Sequence, residues 1–127
     1  MLKNLKIFII IGIIMAILDY IYLNSISSFF KKAIYKIQKS PLVFKYVPAI
    51  LCYFFLILSL FYFIISKNGN LLDAFILGVC IYGVFELTNY ATISKWPLKL
   101  VIIDTLWGGI LFSLTTFIYL KFFKIKN

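Results

Sequence analysis

Long apolar runs separated by short polar clusters pattern this chain. The first run, Ile7 to Leu23, is broken only by Asp19; the second, Val47 to Ile65, carries no charge. The third extends from about Leu71 to Ile93 and contains Glu86; the fourth extends from about Leu98 to Leu120 and contains Asp104. Each run reaches the ~20 residues that cross a ~30 Å hydrocarbon core as a helix. Inside lipid only helices and closed barrels satisfy the backbone, and uninterrupted apolar runs are the helical signature. The pattern predicts an all-α fold: a four-transmembrane-helix bundle, with helices at about 5–25, 46–66, 71–93 and 98–121. It forms a single integral membrane domain over 1–127, with the lipid bilayer as its solvent.

The segments between the runs add detail. On a helical wheel, Ile26, Phe29, Phe30, Ala33, Ile34 and Ile37 cluster opposite Lys31, Lys32, Lys36 and Lys39. That predicts a short amphipathic interfacial helix at about 27–39, between helices 1 and 2, with its apolar side in lipid. Ser40-Pro41 ends it. The turn Ser66–Asn70 is short, so spans two and three are antiparallel neighbours. Asp73 caps the start of span three. Small residues four apart, Gly12/Ala16, Ala74/Gly78 and Gly109/Ser113, predict close helix approach. Span two has none and is bulky, so it faces lipid.

Composition agrees with the runs. Hydrophobic residues make up 64% of the 127, against roughly 45–50% in a soluble domain. With 13 basic and 4 acidic residues, a soluble chain could not cover its apolar surface. This excludes a secreted disulfide domain, a disordered tail and a soluble enzyme. The chain has no His, which excludes a zinc protease or a His-based hydrolase. Cys52 and Cys80 lie inside apolar runs and read as small hydrophobes. The basic charge is all lysine and sits between apolar runs, where it meets headgroups rather than nucleic acid. Lys3 and Lys6 before Ile7–Leu18 resemble a signal peptide, but the stretch is long and contains Asp19, so it is read as a retained span. Lys3, Lys6, Lys67, Lys121, Lys124 and Lys126 fall on one side of the membrane, here side A. The other seven of the 13 lysines fall on side B, so charge does not orient the protein.

The intramembrane acids are the informative residues. Each costs roughly 2.5–3.5 kcal/mol near the bilayer centre, and lysine stands only at the ends of the spans. Counting from the span ends places Asp19, Glu86 and Asp104 in one layer about 6–10 Å below side B. Each has a polar partner at i+3 on the same face: Tyr22 for Asp19, Asn89 for Glu86, Trp107 for Asp104. Tyr82 and Tyr90 flank Glu86 at i±4. These residues predict a polar pocket between spans one, three and four. Neutral acids there would bind the helices together by hydrogen bonds. Alternatively the pocket binds a proton, Na⁺ or Mg²⁺, the hard cations that carboxylates suit. If a metal is held, its ligands are Asp19, Glu86 and Asp104. No cofactor beyond such an ion is expected.

The series Glu86-Leu87-Thr88-Asn89-Tyr90-Ala91-Thr92, then Trp96-Pro97, then Asp104-Thr105-Leu106-Trp107-Gly108 resembles a known pattern. Together with Leu18-Asp19-Tyr20-Ile21-Tyr22-Leu23, it is similar to the four-helix membrane family known as domain of unknown function 2177, over nearly the whole chain. The family reads roughly Y-D-L-T-N-x-A-T, W-P, D-x-x-W-G, and its motif adds Thr88 to the candidate residues. Glu86, Phe85 and Tyr22 stand where the family usually has Asp, Tyr and Trp. A longer carboxylate at 86 disfavours tight metal geometry and suits a proton. The resemblance implies a multi-pass membrane protein and brings no activity with it.

Three functions remain. The leading one is a small proton- or cation-linked transporter or permeation module using the acidic pocket. Its size resembles that of the small multidrug-resistance exporters, which work as dimers, so a homodimer is expected; this is analogy of architecture alone. The second is an intramembrane enzyme modifying a lipid or isoprenoid. It is disfavoured because no D-D-x-x-D-like pair is present. The third is a non-catalytic assembly subunit. The small-molecule substrate is not legible.

Overall fold

The structure is a computed structural model that describes residues 1–124; Lys126, counted above on side A, lies outside the described residues. The described residues form four helices: α1 (Leu2–Gln38), α2 (Tyr46–Leu60), α3 (Leu71–Thr92) and α4 (Leu98–Ile118). The ends of α2 and α4 each widen into a single π turn, Phe61–Ile65 and Tyr119–Phe123. All four helices are long and apolar enough to cross a membrane.

The expected interfacial helix at 27–39 does not exist as a separate element. Its residues continue α1, a single helix of 37 residues, about 55 Å long at 1.5 Å per residue. Nothing in the sequence breaks it, for no Gly or Pro occurs between Gly12 and Pro41. The Ser25 and Ser27 hydroxyls donate to the Ile21 and Asn24 carbonyls within the helix instead of capping a new one. The apolar stripe lies on protein rather than lipid: Ile26, Phe29, Phe30, Ile34 and Ile37 pack on Trp96, Leu100 and Val101. The helix stops at Lys39, whose φ of 61° is left-handed and whose N–H bonds the Tyr35 carbonyl at 2.8 Å. Gln38 then ties down the exit by donating to the Ser40 and Pro41 carbonyls.

α3 and α4 form the most intimate helix pair, and α1 packs against both α4 and α2. Glycine explains the first contact. A Cβ on Gly78 would collide with the Gly108 carbonyl, and one on Gly109 with Phe75 and Val79, so these backbones approach as only small residues permit. Asn70 and Asp73 start α3 with a reciprocal capping box, the Asp73 N–H donating to Asn70 Oδ1 at 2.8 Å. Leu60 of α2 and Ile64 of its π turn share a buried cluster with Ala74, Leu111, Phe112 and Met15. Elsewhere α2 turns Val47, Ile50, Leu51, Phe54, Phe55 and Phe63 outward, the surface a lipid-facing span presents.

Candidate functional site

Two of the acids sit in a short motif that occurs twice. α1 carries Asp19 with Tyr22, and α4 carries Asp104 with Trp107, each an acid followed by an aromatic donor one turn later. Successive spans alternate in direction, so α1 and α4 are antiparallel and the two motifs run past each other. Each acid therefore faces the aromatic residue of the opposite helix. The Tyr22 hydroxyl donates to Asp104 Oδ1 at 2.9 Å, and Trp107 Nε1 donates to Asp19 Oδ1 at 2.9 Å. Between these bonds the two rings stack, 4.5 Å between centroids and 6° from parallel. The i+3 partners are thus exchanged between helices rather than kept within one.

The exchange divides the site into two tiers about one turn apart, or roughly 4.5 Å. In the deeper tier Asp19 also accepts from the Tyr53 hydroxyl of α2 at 3.2 Å, and that hydroxyl lies 3.0 Å from the Met15 carbonyl. In the tier nearer side B, Glu86 of α3 is 1% exposed. It accepts from Trp96 Nε1 at 2.8 Å and lines one cleft with Asp104. That cleft, of about 280 Å³, opens beside this pair. Its walls are Leu23, Ile26 and Phe30 of α1, Phe85 of α3 and Leu100 of α4, with Leu42, Phe44, Ser27 and Lys31 toward the mouth. Asp19 does not line it.

The other candidates divide. Tyr82 is half-buried, with its ring on Gly108, so the space that glycine leaves is taken by protein. Asn89 is half-buried and Thr88 is exposed; neither lines the cleft. Thr88 contributes its carbonyl to the Thr92 hydroxyl, and Asn89 contributes its carbonyl to the Ile93 N–H. Two partners were not legible from spacing. Tyr53 lies on the span read as lipid-facing, and Trp96 enters the sequence reading only through the W-P motif. The signal for Trp96 was its nearness to Glu86, an acid without a lysine that needs a donor.

Among the described residues no three Asp, Glu or Cys side chains stand close enough to hold a metal ion together. The Glu86–Asp104 pair offers two carboxyls, one oxygen of which already takes an indole N–H. Mg²⁺ and Na⁺ need several further oxygens, and the neighbouring walls are mostly hydrocarbon. That donor set is a poor match for a bare metal ion.

The family model described as "Predicted membrane protein (DUF2177)" matches residues 4–120. No curated protein and no solved structure matches the chain.

Proposed function

The chain belongs to the predicted membrane protein family DUF2177, and from that premise we propose that this multi-pass integral membrane protein is a proton-linked permeation module. The observation that supports this reading is that Glu86 and Asp104 line one largely apolar cleft. Two carboxyls on one such cleft share a proton, because two bare charges would repel. Releasing the proton requires a cation to replace it. The hydrocarbon walls suit the apolar body of an amphiphilic cation, whose positive group would reach the pair. Proton leaving and cation arriving then leave the net charge of the site unchanged. Lys31 at the mouth is exposed, so its opposing charge is screened by solvent and headgroups.

Asp19 has a different role in this reading. Trp107 and Tyr53 both donate to it, and it joins α1, α2 and α4 as a structural acceptor. The cleft lies toward side B alone, so a second copy of the chain would complete a path across the bilayer. The test is uptake of a fluorescent amphiphilic cation into proteoliposomes with a pH gradient, alongside a lumenal pH dye. The expected result is cation uptake coupled to proton efflux, abolished by Glu86→Gln and by Asp104→Asn but retained by Asp19→Asn. Full coupled flux in Glu86→Gln would overturn the proposal. Turnover of a lipid without any gradient would replace it by the enzyme reading.

A further inference from the structure

A second cleft, of about 410 Å³, lies at the opposite end of the bundle. Three chain segments form it: the start of α1, the end of α2 with its turn, and the end of α4. Lys3, Asn4, Asn68 and Lys124 supply its polar wall, and Ile7, Phe61 and Ile65 its apolar wall. Both π turns of the protein border it, through Phe61 and Ile65 on one side and Tyr119 and Leu120 on the other. A π turn widens a helix at a cost in regular hydrogen bonding and recurs at functional sites. Two of them facing one cleft is a separate observation from the basic residues.

Tyr119, 2% exposed, lines the cleft as well. The charges nearby point to an anion. Lys67 lies over the Tyr62 ring, and Lys121 over Phe117 and Phe122, which leaves Lys3 and Lys124 as the cations of the cleft wall. Asp73, the described acid near this end, is committed to the α3 capping box and does not line the cleft.

We propose that this side-A cleft binds the phosphate of an anionic lipid headgroup. Lys3 and Lys124 supply the charge, Asn4 and Asn68 donate hydrogen bonds, and the acyl chains leave along the Ile7–Phe61–Ile65 wall. Helix ends that leave the bilayer here put the cleft at headgroup level, where a phosphodiester with attached hydrocarbon matches both walls. The site is separate from the Glu86–Asp104 pair and does not depend on how that pair works.

The experiment is native mass spectrometry of the full chain released from nanodiscs of phosphatidylcholine with phosphatidylglycerol, with inorganic phosphate added in a parallel arm. The expected result is one retained phosphatidylglycerol per chain, preferred over phosphatidylcholine. Each of Lys3→Ala and Lys124→Ala should weaken retention roughly 5-fold, and the pair about 30-fold. Lys67→Ala with Lys121→Ala, which removes the ring-bound lysines, should leave retention unchanged. Equal retention of both lipids, or retention unaffected by losing Lys3 and Lys124 together, would overturn the proposal. Displacement by millimolar inorganic phosphate would overturn the lipid assignment in favour of a soluble phosphate ligand.

Discussion

Replacing Trp107 by Phe tests the crossed α1–α4 motif directly. The substitution keeps an aromatic ring on Tyr22 but removes the N–H that reaches Asp19 at 2.9 Å. Asp19 is then left with the Tyr53 hydroxyl at 3.2 Å. Hydrogen bonds between membrane helices average about 0.6 kcal/mol and reach about 1.7 kcal/mol. The smaller ring also forfeits part of a stack worth roughly 0.5–1.5 kcal/mol. Together these predict a loss of about 1–2 kcal/mol for Trp107→Phe. Asp19→Leu, which removes the acceptor altogether, should cost about 1–3 kcal/mol by leaving the Trp107 and Tyr53 donors without it. The double variant should show a coupling of about 0.6–1.7 kcal/mol. The assay is reversible denaturant unfolding in mixed micelles, followed by tryptophan fluorescence. The chain has 2 tryptophans, so Trp96 remains as reporter when Trp107 is gone. Additivity of the two substitutions within about 0.2 kcal/mol would refute the reasoning, since the bond would then contribute nothing.

Further outcomes follow from the packing. Ser28→Pro lies in the interior of the continuous α1 and should cost about 3 kcal/mol or more in the same unfolding assay; a tolerated proline would mean the helix is divided there after all. Gly78→Ala should destabilise by about 1–3 kcal/mol, because its Cβ meets the backbone of Gly108 and neither helix can yield cheaply. Gly12→Ala should cost well under about 1 kcal/mol, because the Cβ meets only the end of the Ile57 side chain at 3.0 Å. Trp96→Phe should lose about 1–3 kcal/mol by leaving the buried Glu86 without its indole donor, and Glu86→Leu in that background should recover part of the loss.

The sequence by itself determined the four spans, because a run of apolar residues long enough to cross lipid has one stable conformation there. It likewise marked Asp73 at the start of α3 and the small residues of α1, α3 and α4, which follow from residue types at short spacing, whereas Asn70 as the reciprocal cap and α3–α4 as the closely packed pair came from the structure. It also singled out Asp19, Glu86 and Asp104, since a carboxyl in hydrocarbon is costly wherever it ends up. Only the tertiary structure decided what these groups meet. Helical spacing predicts neighbours within one helix, whereas Tyr22 and Trp107 find their acids across an antiparallel contact, whose register depends on how two whole helices dock. The same limit explains the amphipathic stripe of 26–37. An apolar face at helical period suits lipid and protein equally, and the surface offered by Trp96, Leu100 and Val101 made it a continuation of α1. The docking of whole helices likewise decided which acids share a cleft: Glu86 and Asp104 line one, while Asp19 accepts from Trp107 and Tyr53.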